Sequence, residues 1–476
     1  MKKYLILLLV TVFSVSMLFI GIGCKAGEAA EETAVEEVEE AVEEEAAEEE
    51  AVEEEAAKEP VTLVFWWWGE QEAPGLEGWM AETVDLYQDA NPHVTVETTL
   101  QAGDVVISAY RTAAAAQEGP DLQYFWGGSY TVEDAFLGNT APISDYIPED
   151  ELSHFYTRGE VEFDGKIWGA GWYLAQSVMV YNKDMLTEVG LDAENPPATW
   201  ADFLAACEVV KAAGYDPISV GDAGWGSGGA WLYAFLSVQN MDGIADIMAP
   251  IVGDADFTDP KYAEWWDRLA DLRDNGYFNE DILSAEFNET QDKFVRGESA
   301  FTFVVGSMLK GIVESMGEDV VGVMTVPVWG NGKIGGQMPL TSQNIGISSW
   351  SPNKQEAANF IMFMHSPDRL DAMYLASGAI PADDRFDNSL VELPQMLKVL
   401  ELQGGGNVME GDVAPYAEHY IPYQFEEETY MYGSQDFFNG ATPEEMAQKA
   451  KDNIEKWQET QPEVLEFYTA WYETLK

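Results

Sequence analysis

Hydrophobic and polar positions divide the chain into three unlike stretches. Positions 4–23 form an almost uncharged apolar run rich in Leu, Ile, Val and Phe, preceded by Lys2 and Lys3. Positions 27–60 are built almost only of Ala, Val and Glu. From position 61 onward the pattern alternates between strand-like and helix-like segments, which predicts α/β layers. The run 61–68, Val-Thr-Leu-Val-Phe-Trp-Trp-Trp between Pro60 and Gly69, predicts a buried first strand. Helical spacing of Trp79, Val84, Leu86 and Tyr87 predicts a helix over 78–90, ended by Asn91-Pro92, and the β-branched 94–98 predicts a second strand. Thr199 before Trp200 and Asp202 is placed to cap a helix. Ser351-Pro352 reads as a cap followed by a first-turn proline. Cys207, four residues after Phe203 and three before Val210, falls on a buried helix face and is expected to be a core thiol. The mature part is long enough for two domains, without an internal repeat or a further apolar run of membrane length.

The apolar run behind two lysines reads as a signal peptide covering 1–23. A run of this length can also be retained as a membrane helix; the cysteine that follows favours processing. Gly21-Ile22-Gly23-Cys24 resembles the bacterial lipobox, which implies lipidation of Cys24 and anchoring of the mature N-terminus. The segment 24–60 has too few bulky apolar residues to offset the entropy of ordering, and its charges repel, so it is expected to be an acidic tether.

Charge narrows the range of partners. The chain holds 24 basic and 85 acidic residues, a net charge of −61. Residues 1–60 carry four lysines and 17 glutamates, so −48 remains on the rest. Nucleic acid and anionic lipid surfaces both require a cationic footprint that is missing here. With Cys24 lipidated, Cys207 has no disulfide partner within the monomer.

Five pieces in order carry a family resemblance. They are the helix and strand over 79–96 joined by Asp89-Ala90-Asn91-Pro92; DGKIWGAGWYLAQSVMVYNKDM at 164–185; Pro197-Ala198-Thr199-Trp200-Ala201-Asp202-Phe203; Phe294-Val295-Arg296-Gly297-Glu298-Ser299-Ala300-Phe301; and Ser351-Pro352-Asn353-Lys354-Gln355-Glu356-Ala357-Ala358. Together these resemble the family 1 extracellular solute-binding proteins of ABC importers, the maltose-binding-protein-like group. The resemblance implies a two-lobed α/β fold, each lobe a sheet flanked by helices, with a ligand cleft between lobes. It places crossovers near 171–176, 304–308 and 344–348, a first lobe over 61–171 and 307–346, and a second over 172–306 and 347–476. It further implies a monomer, outside the cytoplasm, that takes a mono- or oligosaccharide by hinge closure and delivers it to the permease subunits of an importer, with no catalysis and no cofactor.

Sugars present hydroxyls and apolar C–H faces, so their sites pair aromatic platforms with hydrogen-bonding side chains. The chain has 16 Trp and 21 Tyr, and several stand where strands end. Trp68, with Glu70 just beyond it, closes the first strand, where ligands gather in open α/β folds. Trp126 closes the strand beginning at Asp121. Tyr173 and Gln176 are the polar-tipped members of an otherwise apolar crossover, and Gln343 and Asn344 stand near another. Gly224-Trp225-Gly226-Ser227-Gly228-Gly229 matches a dinucleotide fingerprint formally, but Trp225 fills the tight turn and export removes the cofactor pool. That loop is expected instead to open onto the cleft, with Trp225 or Trp231 stacking on a sugar ring. Trp265-Trp266 and Trp471-Tyr472 sit at helical spacing and are expected in the core.

Other chemistries find little support. His93, His154, His365 and His419 are far apart with no zinc spacing. The stretch 254–259 has Asp259 where a calcium loop needs Gly, and reads as a solvated turn. A secreted carbohydrate-active enzyme with a carboxylate pair is the competing class, since so acidic a chain can supply one.

Overall fold

The computed structural model describes residues 59–476 apart from 104, 224–230, 405–407 and 409–412. The signal segment, Cys24, the tether and the loop bearing Trp225 lie outside the described residues. Residues Lys58–Lys476 form one compact unit. Among the described residues, no helix is long and apolar enough to cross a membrane.

Strand β1 (Val61–Trp67) runs parallel to β2 (Val94–Leu100) and, on its other side, to β3 (Leu122–Phe125). The parallel pairings need crossover helices, supplied by Leu76–Ala90 and Val106–Ala116. Burial along β1 alternates rather than running on: Leu63, Phe65 and Trp67 are in the core, while Val64 and Trp66 are only half covered. Three short strands follow, β4 (Thr140–Ala141) and the hairpin of β5 (Glu162–Phe163) and β6 (Lys166–Ile167). Asp164 and Gly165, both at positive φ (52° and 67°), make the two-residue turn that suits strand twist in such a hairpin.

The long strand β7 (Ala170–Asn182) joins two sheets. Its first half pairs antiparallel with β11 (Pro339–Ser348), Leu340 opposite Gln176 and Ile345 opposite Ala170, with a register shift between Ser342 and Asn344. Its second half pairs with β9 (Ser299–Val305) and with β10 (Val321–Met324). β8 (Asp216–Ser219) lies parallel to β9, and β12 (Ala414–Pro415) to the start of β11. All thirteen residues of β7 are buried, as a strand covered on both faces requires.

The expected crossover at 171–176 therefore lies on β7, just before its partner changes from β11 to β9. The one at 304–308 coincides with the end of β9 and the 3-10 turn Gly306–Met308. The third is displaced. Residues 344–348 sit well inside the first sheet, paired with β3 and β4. The chain enters that sheet earlier, from a loop whose Gly332 and Ile334 amides donate to the carbonyls of Gln239 and Met241.

Helices Lys354–Met364 and Pro367–Ser377, expected with the second lobe, pack on helix Leu76–Ala90 beside β1. The Trp79 indole donates to the Arg369 carbonyl at 2.9 Å, and Tyr87 packs on Phe360 and Phe363. Helix Pro443–Thr460 instead lies against Pro260–Asp274. The helix after Ser351 starts at Lys354. Ser351 accepts from the Asn353 amide and donates to Asp121, so its hydroxyl fastens the loop and does not cap the helix. Thr199 does cap Trp200–Ala213, accepting from the Asp202 amide at 3.2 Å. Cys207 is fully buried and free, and Trp265, Trp266, Trp471 and Tyr472 are buried in the core.

Candidate functional site

Where β1 and β3 end, their last side chains turn toward a cavity of about 380 Å³. Trp68 follows β1, Trp126 follows β3, and their ring centroids are 5.6 Å apart, with Tyr124 behind both. The opposite wall comes from Trp231, from Glu286, Phe287 and Asn288 at the start of helix Phe287–Val295, from Met308 beyond β9, and from Tyr432. Trp231 packs edge-on against Phe287 at 4.7 Å. Trp68 and Trp231 are buried, whereas Trp126 is half-buried and Tyr432 exposed. The cavity is thus aromatic on both sides, with Gln71, Glu72, Glu286 and Asn288 as its polar groups. This composition, apolar faces with a few convergent polar tips, suits a small polyhydroxy ligand.

Trp68, Trp126 and Trp231 are the sequence-derived candidates that line this cavity. Glu70 does not. Its carboxylate accepts from the amides of Gly75 (2.9 Å) and Glu77 (2.6 Å), closing the exposed first turn of helix Leu76–Ala90, where orphan amides and the helix dipole favour an anion. Replacing Glu70 by Ala is expected to cost about 1 kcal/mol of stability in denaturant melts and to leave ligand affinity unaltered.

Of the two acids that follow Trp68, the one on the cavity wall is Glu72, two residues further on. It is 5% exposed, and burial pushes its carboxyl up to about 7, against hydrogen bonds from Gln343 and Ser307 that favour the charged form. Gln343 on β11 donates to both its oxygens at 3.3 and 3.4 Å, and Ser307, just past β9, donates at 3.4 Å. Glu72 therefore touches the cavity on one side and, on the other, β11 and the turn that follows β9.

The remaining described candidates, on β7 and β11, are not on the cavity wall. Gln343 reaches it only through Glu72. Tyr173 is fully buried, its hydroxyl 2.9 Å from where a Cβ on Gly69 would stand. Gln176 donates to the Gln403 side chain at 3.4 Å and occupies room that Gly306 leaves, a Cβ there falling 2.8 Å from its oxygen. Asn344 bonds back to Ser342. Gln176, Gln343 and Asn344 each donate to a protein partner, whereas the Tyr173 hydroxyl and the side-chain oxygens of Gln176, Gln343 and Asn344 are buried without one. Phe287, Tyr432 and Met308 were missed; they come from remote segments and carry no local motif.

Behind Trp126 and Tyr130 lies a buried polar network. Thr341 donates to Glu160 at 2.9 Å and stands 2.9 Å from the His419 ring, and Tyr130 donates to Glu426 at 2.7 Å. Burial raises Glu160 and Glu418 to about 8 and lowers His419 to about 3. The folded state thus keeps carboxyl protons that the unfolded chain releases above its ordinary value of 4.5, so this stabilisation is full below 4.5 and is lost as pH rises toward 8. His419 acts oppositely, but only below the unfolded value of 6.5. Between pH 6.5 and 8 the carboxyl groups act alone, and stability should fall by about 1.4 kcal/mol per pH unit for each proton released. Urea midpoints across that window should drop, less so in Glu160→Gln; a flat profile contradicts this. Among the described residues, no group of three or more acidic, His or Cys side chains is arranged to hold a metal ion.

The profile of a family described as bacterial extracellular solute-binding protein matches residues 82–390. The sn-glycerol-3-phosphate-binding periplasmic protein UgpB of Agrobacterium fabrum is 26% identical over 224 residues, 43% of this chain and 46% of that protein. An uncharacterized ABC transporter extracellular-binding protein of Pyrococcus horikoshii is 25% identical over 52% of this chain and 57% of its own length. The chain thus spans about half the length of the curated relatives it matches. Among solved structures, a chitin oligosaccharide binding protein, 21% identical, superposes with a TM-score of 0.75 over 83% of this chain and 98% of that one. Maltose-bound MalE3 of T. maritima, 19% identical, gives 0.65 over 83% and 99%. These likenesses establish the two-lobed α/β fold, and the matched span establishes the family: the chain belongs to the bacterial extracellular solute-binding proteins.

Proposed function

We propose that this protein captures a mono- or oligosaccharide between its two lobes outside the cytoplasm and presents it to an ABC importer, held to the membrane through a lipid on Cys24. The observation that carries the reading is the cavity with Trp68 and Trp126 on one side and Trp231 and Phe287 on the other. Facing aromatic rings can stack on both faces of a pyranose while Gln71, Glu72 and Asn288 meet its hydroxyls. Closure of the lobes then brings the two walls together, and the closed state is what a transporter can read. The names of the neighbours, a chitin oligosaccharide binding protein and a maltose-bound protein, support a carbohydrate. The acidic tether supports a display role in which the lobes stand off from the membrane.

A glycosidase reading draws on Glu72 and Glu286, two carboxylates that line one cavity. One experiment separates the two. The purified protein is screened by thermal melting against neutral oligosaccharides, and the stabilising sugar is incubated with it and assayed for new reducing ends. Binding without multiple turnovers supports capture; repeated cleavage makes the protein an enzyme.

A further inference from the structure

We infer that the cavity accepts uncharged or amine-bearing glycans and rejects anionic ones, phosphoesters above all. This rests on the carbohydrate reading of the same site and concerns the charge class of its ligand.

Among the described lining residues the acids are Glu72 and Glu286, and none is Lys, Arg or His. The neighbouring stretches outside the described residues do not supply one either, because position 104 is Asp and positions 224–230 read Gly-Trp-Gly-Ser-Gly-Gly-Ala. Basic residues nearby in sequence are committed elsewhere. Lys310, two past Met308, donates to the carbonyls of Leu375 and Ala376 at 2.9 Å. Lys293 pairs with Asp281, and Arg111 with Glu133 and Asp134 at 3.1 and 3.2 Å.

One feature of the wall is ordinarily friendly to anions, the N-terminus of helix Phe287–Val295. Here the chain fills it with its own carboxylates. Glu286 caps the Glu289 amide, and Glu289 reaches back to accept from the Glu286 amide at 3.0 Å. An entering phosphate would find that helix end occupied by Glu286, with no Lys, Arg or His among the described lining residues to balance its charge. Like charges brought together in a desolvated site are strongly disfavoured. An ammonium group meets the reverse situation, with the Glu286 carboxylate, the Glu72 carboxyl group and the faces of several aromatic rings. Glu72, whose proton is held to near neutrality by burial, can also donate to a sugar oxygen as well as accept from a hydroxyl. This chain thus parts from its relatives named for sn-glycerol 3-phosphate.

The test uses the whole protein and four probes, sn-glycerol 3-phosphate, glucose 6-phosphate, chitobiose and its deacetylated amine form, read by melting shift and titration calorimetry. The phosphate probes are expected to give no shift, or one whose affinity is unaltered in Trp126→Ala and which therefore arises outside the cavity. The amine form is expected to bind no more weakly than chitobiose, and to lose about tenfold or more of any advantage over it in Glu286→Gln. A phosphate-induced shift that disappears in Trp126→Ala overturns the inference while leaving the capture reading intact, as does a chitobiose site that excludes the amine. If chitobiose and other neutral sugars fail to bind, the carbohydrate reading fails, whereas the charge inference is still decided by the phosphate probes.

Discussion

Trp126→Ala should weaken binding of the stabilising sugar by about thirtyfold, close to 2 kcal/mol, while the protein stays folded. The size follows from position. Trp126 is half-buried at the end of β3, with one part of its ring against Trp68, Tyr124 and Tyr130 at 5.4 to 5.6 Å and the remainder bordering the cavity. Its removal takes away stacking surface that a ligand would cover, yet leaves its neighbours supported by one another. Trp68 makes a poorer probe because it is buried, and truncating a buried tryptophan costs about 3–5 kcal/mol of fold stability that would mask the binding effect. Trp126→Phe keeps a flat apolar face and should recover much of the affinity. Calorimetric titration of both variants, alongside their melting curves, checks this; an unaltered affinity in Trp126→Ala removes the stacking account.

The largest effect on stability is expected at Gly128, directly behind the site. Its φ of 53° lies in the left-handed region, and a Cβ there would fall well inside van der Waals contact with the His419 carbonyl oxygen. That carbonyl belongs to backbone, in the 3-10 turn Ala417–Tyr420, so it cannot move aside as a flexible side chain would. Gly127 is as tightly placed, against the Thr341 hydroxyl and the Ser342 carbonyl. The Gly-Gly pair thus lets the β3 end approach β11 and the C-terminal segment closely enough to hold Trp126 and Tyr130 in place. Gly128→Ala should cost about 3 kcal/mol or more, through both backbone strain and displacement of the turn. Gly138 provides the control, with φ 74° and nothing within 4 Å of an added Cβ; Gly138→Ala should cost only about 1 kcal/mol. Comparable denaturant midpoints for the two variants would contradict the packing argument.

Local signals in the sequence carried far in some places and failed in others for identifiable reasons. The first parallel strand and helix, the Thr199 cap and the buried Cys207 face were legible because each depends on residues adjacent in the chain. Strand ends pointed to Trp68 and Trp126, since strand and turn chemistry fix where the last side chain emerges. The choice between Glu70 and Glu72 was not legible. Both follow Trp68 in one polar turn, and only the start of the helix at Leu76 decides that the first caps it while the second enters the cavity. The home of helices Lys354–Met364 and Pro367–Ser377 was equally hidden, because their apolar faces would fit either sheet, and contacts such as Trp79 with Arg369 span most of the chain. Phe287 and Tyr432 illustrate the same limit, for a wall assembled from distant segments leaves no spacing to read. The buried network around Glu160 and His419 is another case, since isolated Glu and His residues in an acidic chain look like surface.

Glu72 gives the account its mechanical element. It stands on the cavity wall and is held from behind by Gln343 on β11 and by Ser307 in the turn after β9. A ligand hydroxyl bonded to Glu72 would therefore act on the same group that those segments hold. The central claim, capture of a sugar between lobes that close on it, is tested most directly by small-angle X-ray scattering of the protein with and without a saturating concentration of the stabilising sugar. The account predicts a smaller radius of gyration in the bound state; an unchanged radius with the sugar fully bound would contradict it.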